Sequence, residues 1–320
     1  MYYIGVDLGG TNIAVGIADE NYNLIIKGKT PTLAARGADE LVKDMASLAA
    51  SLVESAGLTF DDIASMGVAA PGAVDNETGV VKCCNNVNMS QYPIAEKLRA
   101  LIPIKKVCLA NDADAAAFAE AKIGAGKGCD DLIMVTLGTG VGGGIVMNGK
   151  LYTGYNNMGG EIGHMTIAYG GRECSCGRKG CFEAYASATA LITMTKEKIE
   201  ECHKSGRATA MDALVAERKK VSGRTAFDAM RLGDEAAREV VDTYISYLAA
   251  GITSLINIFQ PRVLCIGGGI CGEGDTLLNP LKEIVDREQY GTDAHTDKTE
   301  LKIAELGNDA GIIGAALIGV

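Results

Sequence analysis

The chain has 320 residues, 48% of them hydrophobic and 22% charged, with 41 glycines, only 6 prolines and a formal net charge of −10. This composition excludes disordered and fibrous classes, and the length favours two domains over a single core. So acidic a chain repels phosphate backbones and anionic bilayers, so neither nucleic acid nor a membrane is expected as a partner.

The first thirty residues read as three short strands, Tyr2 to Leu8, Ile13 to Ala18 and Leu24 to Lys29, separated by turn residues and so forming an antiparallel meander. Their start, Met1-Tyr-Tyr-Ile-Gly-Val-Asp7, has neither the basic region nor the long apolar core of an export signal. Ten cysteines, two of them adjacent at Cys83-Cys84, are therefore expected as reduced thiols in a cytoplasm. Leu41, Met45, Leu48 and Leu52 recur at helical spacing between Asp39 and Ala56, and a strand from Ile63 to Val68 follows. A further strand, Val107 to Ala110, runs into Asn111-Asp112 and an alanine-rich helix from Ala113 to Lys122.

After the loop Gly124-Ala-Gly-Lys-Gly128 the plan restarts. A strand from Leu132 to Leu137 enters the turn Gly138-Thr-Gly-Val-Gly-Gly143, with strands Gly144 to Met147 and Lys150 to Tyr152 behind it, as a duplicated fold would show. Helices continue to about Asn257, the longest from Glu235 to Ile258. Strand Val263 to Ile266 meets Gly267-Gly268-Gly269, a helix spans Asp275 to about Arg287, and strand Leu301 to Ala304 precedes a closing helix from Ala310 to Ile318. The longest apolar run, 310–320, is too short to cross a bilayer.

Between these elements lies a metal-ligand set. Glu161-Ile-Gly-His164, Cys174-Ser-Cys176 and Cys181-Phe-Glu183 supply one imidazole and three thiols, a complete tetrahedral set for zinc in His164, Cys174, Cys176 and Cys181. Four protein ligands leave no open position, so the predicted metal is structural. Gly177 and Gly180 let the loop turn tightly, and a disulfide reading leaves one thiol over. His203 and His295 have no comparable neighbours in the sequence.

Asp7-Leu-Gly9-Gly10-Thr11-Asn12 places a carboxylate at a strand end, followed by a turn whose amides and Thr11 hydroxyl can meet phosphate, with Asp7 in reach of Mg²⁺. One Gly-Gly turn is commonplace in hairpins. Further turns at Gly138-Thr139-Gly140 and Gly267-Gly268-Gly269 make three loops converging on one nucleotide the better explanation. Gly138, Gly140 and Gly143 satisfy G-x-G-x-x-G, but a strand follows where a dinucleotide site needs a helix, and the loop around Lys127 lacks the Ser/Thr of a P-loop.

Asn111-Asp112 reads either as a helix cap or as a catalytic carboxylate at the carboxyl end of a strand, where ligands of α/β sheets bind. In the second reading Asp112 accepts a hydroxyl proton during phosphoryl transfer. Glu161, His164 and Glu183 add the acceptors and imidazole that a sugar's hydroxyls need, with His164 free to use one ring nitrogen for metal and the other for substrate. Taken singly, Glu161 and Glu183 are equally readable as surface charge.

Together Asp7 to Asn12, Ala70-Pro-Gly-Ala73, Asn111-Asp112, Leu137 to Gly144, Glu161 to His164, Cys174 to Glu183 and Gly307-Asn-Asp-Ala-Gly-Ile-Ile-Gly-Ala-Ala316 resemble the ROK family of sugar kinases, its bacterial glucokinases above all. The resemblance implies an α/β actin-like ATPase fold with two ribonuclease-H-like domains around a hinged cleft. Residues 1–112 with about 305–320 would form the first domain, and 113–304, carrying the zinc loop, the second. It implies ATP and Mg²⁺ as cosubstrates and a hexose, glucose before N-acetylmannosamine, fructose or allose, phosphorylated at O6 with Asp112 as base. Gly72, Asn86, Asn111, Glu161, His164 and Glu183 would hold the sugar; Gly9 to Asn12, Thr139-Gly140 and Gly268-Gly269 would contact ATP. A homodimer or homotetramer is the implied assembly. The chain departs from the family's glucokinases at Met89, where a Trp is frequent, which bears on the edge of the sugar pocket. Regulators of the same family carry an extra helix-turn-helix module, for which a first strand starting at Tyr2 is expected to leave no room.

Overall fold

The computed structural model describes residues 1–84, 87–291 and 297–320. Three strands open it, β1 (Tyr2–Leu8), β2 (Asn12–Ala18) and β3 (Leu24–Pro31), followed by α1 (Ala38–Ser55) and β4 (Ile63–Ala70). Three short strands, β5 (Ala73–Asp75), β6 (Val80–Cys84) and β7 (Met89–Tyr92), precede α2 (Ile94–Leu101), β8 (Val107–Asn111) and α3 (Asp112–Ile123). The second series comprises β9 (Leu132–Leu137), β10 (Val141–Met147), β11 (Lys150–Leu151), α4 (Glu183–Ala186), α5 (Ala188–Ser205), α6 (Ala210–Arg218), α7 (Thr225–Arg231) and α8 (Glu235–Phe259). It closes with β12 (Val263–Gly267), α9 (Asp275–Glu288), β13 (Glu300–Ile303) and α10 (Ala310–Ile318).

The two large sheets repeat one plan, with strand orders β3-β2-β1-β4-β8 and β11-β10-β9-β12-β13. In the first, β1 is antiparallel to β2 and parallel to β4, which is parallel to β8. This is the ribonuclease-H-like order, and its recurrence bears out the duplication expected from the two glycine-threonine turns. No described helix is long and apolar enough to cross a membrane.

The chain divides into two compact units, residues 1–134, 144–160 and 304–320 in one and 135–143 and 161–303 in the other. In the first, side chains of β1 alternate between faces. Ile4, Val6 and Leu8 are fully buried in a core that includes Leu41, Met45 and Leu98 of α1 and α2. On the opposite face Gly5, and Gly67 of β4, leave room for the backbone of α10: a Cβ at Gly5 would overlap the Ile312 carbonyl, and one at Gly67 the Ala315 carbonyl. α3 meets α10 equally closely, since a Cβ at Gly314 would overlap the Ala115 carbonyl. In the second unit, Phe182 is fully buried against Gly251 of α8, and the buried Tyr244 hydroxyl donates to the Ala186 carbonyl at 2.7 Å.

Two departures from the sequence expectation have local causes. Strand β10 starts at Val141 instead of Gly144, because its glycines are strand positions: a Cβ at Gly144 would lie 2.5 Å from that of Ala117 on α3. The small antiparallel sheet β5-β6-β7 falls in a stretch read without strands, and Met89 begins β7 instead of lying in a loop. Met89 is 2% exposed and belongs to the core of its unit, so the residue that replaces the frequent Trp is a packing residue here.

Candidate active site

In the first unit the β1–β2 turn is pinned from behind. Gly9 N–H donates to the Asn12 carbonyl at 3.0 Å, and the fully buried Thr32 binds the turn twice, its N–H to the Thr11 carbonyl at 2.9 Å and its hydroxyl to the Gly9 carbonyl at 2.6 Å. Gly10, Thr11 and Asn12 are left exposed at the end of β1. Sequence reasoning missed Thr32, whose only local signal is a polar residue directly after a strand.

Asn111 ends β8 and is the N-cap of α3. Its Oδ1 accepts from Ala113 N–H at 2.9 Å and Asp114 N–H at 3.3 Å, while its Nδ2 donates to the Gly72 carbonyl at 3.0 Å. Capping therefore falls to Asn111, and Asp112 becomes the first helical residue, where orphan amides favour a negative charge. Gly72 owes its identity to φ +85° and to the Cys83 carbonyl, which a Cβ would overlap. Asn86 and His295 lie outside the described residues, and His203 pairs with Asp212 at 2.9 Å, apart from the metal set.

Asp7 and Asp112 are close enough for each charge to matter to the other. Burial, and then the Asp112 carboxylate, push Asp7 up to about 6. Burial also raises Asp112, against hydrogen bonds from backbone amides and the Asn111 side chain that lower it. The start of α10 presses on the pair, since a Cβ at Gly311 would lie 2.5 Å from Asp7 Oδ2.

In the second unit the turn after β9 is held by three groups from one stretch of chain. Ala188 N–H donates to the Gly138 carbonyl at 2.9 Å, Thr189 Oγ1 to the Thr139 carbonyl at 2.7 Å, and Glu183 Oε2 accepts Val141 N–H at 3.2 Å. A Cβ at Gly140 would overlap Glu183 Oε2 and would displace that carboxylate from the turn. A strand follows this turn, as the rejection of a dinucleotide site expected. Gly268, at φ +100°, backs onto the Leu137 carbonyl, with Gly269 beside it starting a short 3₁₀ turn.

Glu161 is exposed before the 3₁₀ turn Ile162–His164, and Gly163 lets that turn approach the Val141 carbonyl. The ligand atoms of His164, Cys174, Cys176 and Cys181 all lie within 4.8 Å of one another. Cys174 Sγ is 3.7 Å from His164 Nδ1, and Cys176 Sγ is 3.7 Å from Cys181 Sγ. Zinc–sulfur bonds of about 2.3 Å at a tetrahedral angle set ligands about 3.8 Å apart, so the four residues fit zinc. A backbone hydrogen bond from Arg178 holds the Cys176 thiol below its ordinary value, whereas burial pushes Cys181 up to about 12.

The ROK family model matches residues 3–319. The chain belongs to the ROK family. This ROK chain is 36% identical over 314 residues to a glucokinase of Halalkalibacterium halodurans, covering 98% of this chain and 93% of that one. It is 36% identical over 317 residues to a glucokinase of Thermotoga maritima, covering 98% and 96%. Its fold matches a ROK family glucokinase from Streptomyces griseus in complex with glucose and AMPPNP, at a TM-score of 0.80 and 31% identity over 99% of each chain. The fold is the actin-like ATPase fold.

Asp7 supplies a pH test of this geometry. A carboxyl protonated up to about pH 6 in the folded chain, against an ordinary 3.8, contributes roughly 3 kcal/mol that is fully present below about pH 4 and lost as pH rises through 6. Asp7→Asn should match the ligand-free parent in thermal stability at pH 4 and exceed it at pH 8; equal midpoints at both pH values would contradict the burial of the pair.

Proposed function

We propose that this chain is an ATP-dependent hexose kinase that transfers the γ-phosphoryl group of ATP to O6 of glucose, with Asp112 as general base. The observation that carries the reading is Asp112 itself, a half-buried carboxylate at the first position of α3, directly after the end of β8, whose proton affinity burial raises. The glucokinase relatives and the fold shared with a glucokinase bound to glucose and AMPPNP support the substrate pair.

In the first unit, Asp112 takes the O6 proton as that oxygen attacks the γ-phosphorus and ADP leaves, while Asn111, fixed by Gly72, orients the sugar. The exposed stretch Gly10 to Asn12, with the Thr11 hydroxyl, meets phosphate oxygens, and Gly9 shapes the turn that presents it. Asp7, at the end of β1, would hold Mg²⁺ arriving with the nucleotide directly or through water, and the cation would supply charge neutralisation at the phosphates. In the second, Thr139-Gly140 and Gly268-Gly269 contact the nucleotide, and Glu161, His164 and Glu183 accept or donate hydrogen bonds at sugar hydroxyls. Asn86 belongs to the sugar set by family resemblance alone.

His164, Cys174, Cys176 and Cys181 would hold one structural zinc ion, with His164 Nδ1 facing the thiols and Nε2 left for substrate. Protein purified without chelator should carry about one zinc per chain by elemental analysis, and Cys181→Ser well under half of that; a metal-free parent would refute the site.

Asp112→Asn keeps the capping of α3 by Asn111 and removes the base. Turnover should fall roughly 10²-fold or more while glucose affinity by calorimetry stays within about threefold. Near-normal turnover would overturn the assignment.

A further inference from the structure

Glu183 has a second task besides the sugar. Its Oε2 accepts the Val141 amide and fills the space above Gly140, so it braces one side of the 138–141 turn. Its Oε1 accepts the Ser175 hydroxyl at 2.7 Å. Ser175 stands between two of the metal ligands, Cys174 and Cys176. Cys174 Sγ also lies 3.5 Å from Oε1, but a metal-bound cysteine is a thiolate with no proton to give, which leaves Ser175 as the donor. Two hydrogen bonds thus join the Cys/His loop to Val141. The turn's other two anchors, Ala188 N–H and Thr189 Oγ1, come from the start of α5 and owe nothing to that loop.

We propose that Ser175 is a positioning residue for the nucleotide turn: through Glu183 it passes the order of the Cys/His loop to Val141, so that nucleotide affinity depends on the bound metal. The inference rests on the reading that the turn takes phosphate and the loop takes zinc. Each oxygen of Glu183 keeps a second lone pair, so the brace and a sugar hydroxyl are compatible.

The test uses the full zinc-loaded chain and three readouts: metal content, amide exchange at Val141, and calorimetric titration with AMPPNP and, separately, glucose. Ser175→Ala should keep its zinc, exchange Val141 faster, and bind AMPPNP roughly 3- to 10-fold more weakly, the scale of one ordinary hydrogen bond, with a smaller loss for glucose. Ser175→Thr, which restores the hydroxyl, should restore both values. Chelation should speed Val141 exchange in the parent and add little in Ser175→Ala. Unchanged Val141 exchange and unchanged AMPPNP affinity in Ser175→Ala would overturn the proposal. Should that variant lose its metal, Glu183→Gln decides at Val141: faster exchange supports the link and unchanged exchange refutes it. A parent that fails to bind AMPPNP defeats the phosphate reading instead, and the exchange data still decide whether Ser175 braces the turn.

Discussion

The placement of the two acidic groups depends on a helix lying closer to a sheet than side chains ordinarily allow. α10 rests its backbone on β1 and β4 where Gly5 and Gly67 present no Cβ, and α3 reaches the same helix where Gly314 presents none. Packing at that distance leaves no space to relax into, so the ends of β1, β8, α3 and α10 are fixed together. Those ends carry Asp7, Asn111 and Asp112, and Gly311 opens α10 directly against the Asp7 carboxylate. A helix formed by the last residues of the chain thereby sets the electrostatics of a residue near its first.

Burying two carboxylates side by side costs free energy, and the chain offsets it unequally. Asp112 receives backbone hydrogen bonds at the start of a helix, whereas Asp7 is left with burial and a like charge, which raise it to about 6. In the second unit the corresponding turn is braced by a carboxylate from a neighbouring loop, so the repeated sheet plan carries two different chemistries.

Much of this was legible in the sequence because the signals are local. Turn residues mark off β1 at its observed bounds, and the amphipathic pattern places α8 within a residue of its end. The four metal ligands, contiguous enough to be recognised by type and spacing, do come together. What the sequence does not reveal is which side chain partners which. Thr32 holds the β1–β2 turn and Ser175 holds Glu183, yet a lone Thr or Ser carries no mark of its partner. The glycines of β10 misled for a related reason: a run of Gly signals a turn locally, but here it answers the approach of α3. Strands as short as β5 and β7 leave no periodicity to read.

Phosphorylation of a hexose at O6, as proposed for these residues, is tested by ATP-dependent turnover across glucose, mannose, fructose, allose, N-acetylglucosamine and N-acetylmannosamine, with the phosphate located by phosphorus and proton NMR. Glucose should give the highest kcat/KM, with glucose 6-phosphate as product; turnover of none of the six, or phosphate on any oxygen but O6, would contradict the proposed reaction.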